Sequence, residues 1–201
     1  MKLIHDSAPC LLHLLLLAEL FVHSSSRPAS SPSLCGMFGA MMPQVERLMS
    51  LSERLHDLTD DELLNFAGVE HGLSSLPHIQ HDAGYFSSLK VNESLSQLYV
   101  YTQSFRLHVD WLKTAKEDVG LSWSAEAVCT RLPQLSNLVN ASLHQISQEV
   151  PPSPSPSFPV VSTTFDVLRA SVEISEQLQA FCDWSKRLLR HLQRQSRCPR
   201  H

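Results

Sequence analysis

Four blocks of apolar residues, each stepping by three and four, constrain this chain more than any motif in it. Such steps place apolar side chains on one face of an α-helix, whose period is 3.6 residues. The second block is the cleanest, with Leu95, Leu98, Thr102, Phe105, Val109 and Leu112 in register. The third runs Ala125, Val128, Leu132, Leu135, Val139, Ser142 and Ile146, and Pro133 inside it predicts a kink or a restart. The fourth runs Val167, Ser171, Ile174, Leu178, Phe181, Ser185, Leu188 and Leu192. It opens on Thr163-Thr164-Phe165-Asp166, which resembles a capping box with Asp in place of Glu. In the first block Met41, Leu48, Leu51, Leu55 and Leu58 share a face, and Pro43 suits an opening turn. No stretch alternates with period two, so no strand is predicted. The predicted helices cover about 43–66, 93–116, 123–149 and 164–195.

Helices with one apolar stripe need partners, and four can bury one another in a bundle. The connections choose its topology. A short gap at 117–122 suits antiparallel neighbours, while the gaps at 67–91 and 150–162 are long. The later gap holds PPSPSPSFP at 151–159, which favours extended polyproline II at roughly 3.1 Å per residue. At that rise it reaches the length of a helix and can start the next one in the same direction. Long, short, long predicts an all-α, up-up-down-down four-helix bundle, the long-chain arrangement of helical cytokines.

Residues 1–26 carry Lys2, an apolar run over 11–22, and then small residues. The run falls short of the roughly 20 apolar residues that span a bilayer, so it reads as a cleaved secretory signal. The expected product is a single secreted domain over 27–201. The whole chain has 16 Lys or Arg against 20 Asp or Glu, which argues against a nucleic-acid or membrane-surface partner, since either favours a basic excess. With secretion, Asn92-Glu93-Ser94 and Asn140-Ala141-Ser142 become candidate glycosylation sites.

Four cysteines remain beyond the signal, in an oxidising compartment. In the predicted topology Cys129 and Cys182 differ by roughly 17 Å along parallel helices, too far for a bridge. Cys35 precedes the first helix, at the bundle end where the fourth helix finishes. The expected pair is therefore Cys35 with Cys198, with Cys182 as the alternative, leaving Cys129 as a small buried hydrophobe.

Off the core faces, Arg187, Arg190, Arg194 and Arg197 fall opposite the stripe of the fourth helix, with Trp184 on their flank. Residues 186–201 hold six Lys or Arg and no acid. Cations complement a helix carboxyl end only over its last turn, so the row predicts an interaction face. Phe165 also lies opposite the stripe, and an outward aromatic is a candidate anchor for a partner. His71, His78 and His81 with Asp82 sit in a predicted loop without any metal-site motif, so no metal is expected. No nucleophile elbow, H-E-x-x-H or glycine-rich phosphate loop occurs, and neither catalysis nor a cofactor is expected.

Several stretches are similar to the interleukin-11 family. His71-Gly72-Leu73-Ser74-Ser75-Leu76-Pro77, then Asp82-Ala83-Gly84, resembles its first long loop. Leu107-His108-Val109-Asp110-Trp111-Leu112-Lys113 resembles its second helix. Leu168-Arg169-Ala170 and Asp183-Trp184 through Arg187-Leu188-Leu189 resemble its fourth, behind a similar proline-rich connection. The resemblance covers about 43–194, and is weakest in the first and third helices. It implies a cytokine that binds a specific alpha receptor and recruits glycoprotein 130, activating Janus kinases and STAT factors. It implies an alpha-receptor contact at Arg187, and Trp184, Arg190 and Arg194, on the same face or its flank, are expected to extend it. It implies signal-transducer contacts at Phe165 with Leu76, Pro77 and Arg169. The chain departs from mammalian members in its slight acidity, its cysteines, and phenylalanine in place of tryptophan at 165. Another interleukin-6-group cytokine, or a secreted helical carrier of hydrophobic ligands, is the alternative.

Overall fold

The computed structural model describes residues 33–66, 68, 72–79 and 84–199. The expected signal at 1–26, and His71, His81 and Asp82, lie outside the described residues. Among the described residues the regular structure is all helical.

Helix α1 spans Leu34–Leu51, beginning and ending earlier than the expected 43–66. Ser33 sets its start, since its hydroxyl accepts a hydrogen bond from the Gly36 N–H at 3.1 Å. Burying Met37 and Phe38 ahead of Met41, Val45 and Leu48 holds the added turns, so Pro43 lies inside the helix and does not open it. Beyond Leu51 the chain tightens into a 3-10 turn over Ser52–Leu55. It restarts at Thr59, where a capping box with Glu62 opens the one-turn helix α2, Asp60–Leu63. A 3-10 turn over Leu64–Phe66 ends this segment. Helix α3 is a single turn, Tyr85–Ser88.

The three remaining helices are long. Helix α4 spans Val91–Asp118 and ends where Gly120 turns at φ +74 and Leu121 N–H donates to the Lys116 carbonyl at 2.8 Å. That left-handed stop favours glycine, which has no Cβ to clash. Helix α5 spans Glu126–Gln145, with Pro133 inside an unbroken run where a kink or restart was expected. Leu132, Leu135 and Val139 are fully buried on both sides of the proline, which offsets its missing hydrogen bond. Helix α6 spans Thr164–Gln195, capped by the Thr163 hydroxyl accepting from Asp166 N–H at 3.1 Å. The Asp166 carboxylate in turn accepts from the Thr163 hydroxyl at 2.6 Å. The shorter side chain thus closes the box on the hydroxyl.

Helix α1 packs on α5 and α6, and so does α4. Along α1 and α6 the partners run in opposite chain order: Cys35 with Cys198, Met49 with Lys186, Ser52 with Ser175. Along α1 and α5 they run Met37 with Ser142 and Gln44 with Arg131. Along α4 and α5, Gln103 meets Ser136 and Lys113 meets Glu126. Along α4 and α6, Tyr101 meets Trp184 and Phe105 meets Phe181, with ring centroids at 5.3 and 5.0 Å. One core fills the space between, and the sequence stripes of α4 and α6 are fully buried in it.

Two connections wrap this core. Phe158 of the proline-rich segment stacks on Trp111 at 5.3 Å and 4°, and meets His108 edge-on. The Ser75 hydroxyl in the first long loop lies 3.1 Å from both the Ser157 carbonyl and His108 Nε2. The same loop is tied to α6, where buried Glu173 accepts from the Gly72 and Leu73 N–H groups at 2.8 and 3.1 Å. Leu73 and Leu76 then drop into the core.

Candidate receptor-binding surfaces

The amino end of α6 presents Phe165, half exposed, in the first turn after the Thr163 cap. Its ring stacks on Phe66 at 5.2 Å and 16°. Phe66 ends the short segment opened by the Thr59 capping box, so the two aromatics come from opposite parts of the chain. Sequence reasoning missed Phe66; the only signal was an aromatic shortly after a Thr-x-x-Glu box in a predicted helix. Leu64, on the same segment, is 70 % exposed.

Arg169, one turn beyond Phe165, lies 3.9 Å from Asp166 and keeps its side chain 37 % exposed. A Cβ built at Gly72 would stand 3.3 Å from its guanidinium, so glycine there lets the loop pass close beneath. Leu76 is only 8 % exposed. Its burial makes it an anchor of the loop and removes it from the candidate contact residues. Pro77 beside it is half-buried.

Toward the carboxyl end of α6, Arg187, Arg190 and Arg194 are exposed, and Arg197, expected on the same helix, is exposed in the turn just beyond Gln195. Trp184 does not join them. It is 3 % exposed and packs between Tyr101 and Phe181, which corrects its expected role as a contact residue. Helix α6 is covered there on two sides, by α1 and by α4, so its buried arc takes in the indole, which also lines a cavity. That cavity, of about 160 Å³, is lined by Ile79, Phe86, Ala180, Asp183, Trp184 and Arg187. Ile79 and Phe86 arrive from the first long loop and α3, neither of which has a helical period that sequence reasoning could use.

Cys35 and Cys198 are bonded, with Cα atoms 5.5 Å apart. Cys182 is the buried free cysteine, and burial pushes its thiol well above the ordinary range. Cys129, expected as a small buried hydrophobe, is half-buried on α5 and packs against the core. Asn92 is exposed in the first turn of α4, whereas Asn140 is half-buried in the middle of α5. Among the described residues no group of three His, Cys, Asp or Glu could hold a metal. No described helix is long and apolar enough to cross a membrane.

An all-helical bundle with a filled core, whose candidate contact groups point outward, is the build of a helical cytokine. The Interleukin 11 family model matches residues 28–196, and the chain belongs to that family. No curated protein matches the chain.

Proposed function

We propose that this chain is a secreted cytokine that binds an interleukin-11 receptor alpha-like subunit and recruits glycoprotein 130. Janus kinases and STAT factors are then activated in the responding cell. The topology proposed is up-up-down-down: α1 and α4 each meet α5 and α6 in opposite chain order, which supports it. Residues 1–26 act as the secretory signal and are removed. Asn92 and Asn140 are the sites for glycans.

The observation that carries this reading is the pair of outward surfaces on α6. Phe165 and Arg187 lie about 33 Å apart along one helix axis at the α-helical rise. A rigid body with two separated surfaces can hold two receptor chains at a fixed distance, which is what clustering requires. Arg187 centres the alpha-receptor surface, where a receptor carboxylate meets its guanidinium and an apolar side chain meets the Ile79 and Phe86 walls. Arg190 and Arg194 extend that surface at its edge, where charges chiefly speed association. Phe165, stacked on Phe66, anchors glycoprotein 130, with Arg169 and Pro77 alongside and Leu76 fixing the loop from beneath.

The test is assembly from soluble ectodomains. The protein should bind the alpha receptor alone, and the binary complex should then capture glycoprotein 130 in a larger species by size-exclusion chromatography. Failure to bind either ectodomain, with helical circular dichroism intact, would overturn the reading.

A further inference from the structure

The arginines at the carboxyl end of α6 do not make one uniform face. Arg187 belongs to the small cavity described above. Arg190, Arg194 and Arg197 line a different, open groove of about 820 Å³ against Gly39 and Met42 of α1. The Cys35–Cys198 bridge pins the end of this groove, since Cys198 is part of its lining.

Three features define what the groove can take. The first is charge: no acid lines it, and among the described residues none of the three arginines is ion-paired. Glu46, one turn along α1 from Met42, makes no ion pair with them either. The second is spacing. Arg190 and Arg194 stand one turn apart, about 6 Å along the α6 axis, and Arg197 follows just past the helix end in the turn at φ +53 that leads to Cys198. The third is the lack of an anchor. Protein–protein hot spots are enriched in aromatic side chains seated in pockets, and the lining here includes no aromatic, only Met42 and Pro199 beside the disulfide as apolar groups. Gly39 leaves the floor open, since a Cβ built on it would meet nothing within 4 Å.

We propose that this groove binds a sulfated glycosaminoglycan. A linear polyanion lays one sulfate after another along such a line, and each guanidinium fork can hold two oxygens of one group. The binding is electrostatic and shallow; it shares Arg190 and Arg194 with the edge of the proposed alpha-receptor surface but not Arg187 at its centre. Because the groove is separate from the Arg187 cavity, a polysaccharide-bound molecule keeps that cavity open. The secreted protein would thus be held near the cell surface or in matrix.

The experiment uses the full secreted chain on immobilised heparin, with affinity for a heparin oligosaccharide measured at several NaCl concentrations. The wild type should be retained at about 0.15 M NaCl. Its log K should fall against log salt with a slope of about −2 to −3, as expected for three neutralised anions releasing counterions. The Arg190→Gln/Arg197→Gln pair should lose roughly tenfold or more in affinity at that salt, with a slope near −1. The Arg47→Gln/Arg54→Gln pair, which removes equal charge from exposed positions elsewhere, should behave as the wild type. The proposal fails if the wild type is not retained, or if the Arg47/Arg54 pair loses as much. It also fails if the Arg190→Gln/Arg197→Gln variant is retained on heparin as the wild type is. Receptor binding by Arg187→Gln separately tests the receptor reading, because that variant should still be retained on heparin.

Discussion

Phe66 and Phe165 stack face to face although ninety-nine positions separate them in the chain, with centroids 5.2 Å apart and planes inclined by 16°. The pair turns a single exposed ring into a rigid two-ring plate. Phe66 limits the rotamers of Phe165, so less side-chain entropy is lost when a partner covers it.

Phe165→Ala should therefore leave the fold and alpha-receptor affinity unchanged while weakening glycoprotein 130 recruitment by roughly thirtyfold or more, the mark of a hot spot. Phe66→Ala should weaken recruitment less, because it removes the support and not the contact. Surface plasmon resonance on the preformed binary complex measures both. Equal recruitment by the wild type and Phe165→Ala would exclude this site.

Trp184 and Arg187 stand one turn apart on α6 and should separate cleanly. Arg187→Glu should cut alpha-receptor affinity with an unchanged melting temperature. Trp184→Ala should instead cost about 3–5 kcal/mol of stability, because it empties a buried site between Tyr101 and Phe181. Thermal denaturation and receptor binding on the two variants give opposite patterns if this division is right.

The Cys35–Cys198 bridge closes a sequence separation of 163 residues. The chain-entropy treatment sets its stabilisation at about 5 kcal/mol as an upper value, with 2–4 kcal/mol typical of measured bridges. The Cys35→Ser/Cys198→Ser variant should melt at a lower temperature yet keep its helical spectrum, since the bridge joins ends that the core already brings together. A variant as stable as the wild type would contradict this.

His108 should make stability fall on acidification. Burial is the main cause that lowers its pKa, against the hydrogen bond to the Ser104 carbonyl and the charge of Glu173, which raise it. His56 is lowered too, again mainly by burial. Because the folded value lies below the unfolded one of about 6.5, the unfolded chain binds the proton first. Stability is then complete above that pH and declines as pH drops from about 6.5 toward the folded value. Melting curves between pH 8 and 5 should show this decline, and it should be shallower in His108→Gln.

Legibility from sequence followed the physics of each element. The α4 and α6 stripes were readable because a long helix with one buried face repeats its signal over many turns. Leu95 through Leu112 and Val167 through Leu192 are buried at the positions the spacing marks. The start of α1 was not readable, because its first turns, Leu34–Gly39, contain two glycines and a proline follows at 43. Only the Ser33 cap and the burial of Phe38 decide it. Trp184 was misplaced because α6 is covered on two sides, by α1 and by α4. Its buried arc is wider than one stripe, taking in Ala170, Cys182 and Leu189. The loop contributions of Phe66, Ile79 and Phe86 have no periodic signature, since contacts across the fold place them.

The tether from Glu173 to Gly72 and Leu73 has a bearing on biosynthesis. A ribosome delivers those two amides about a hundred residues before the carboxylate that receives them. Until the final helix docks, the carboxylate that accepts from them in the folded molecule is not in place. The front loop thus works as a receipt for a finished molecule, and a stalled or truncated chain has no way to issue it.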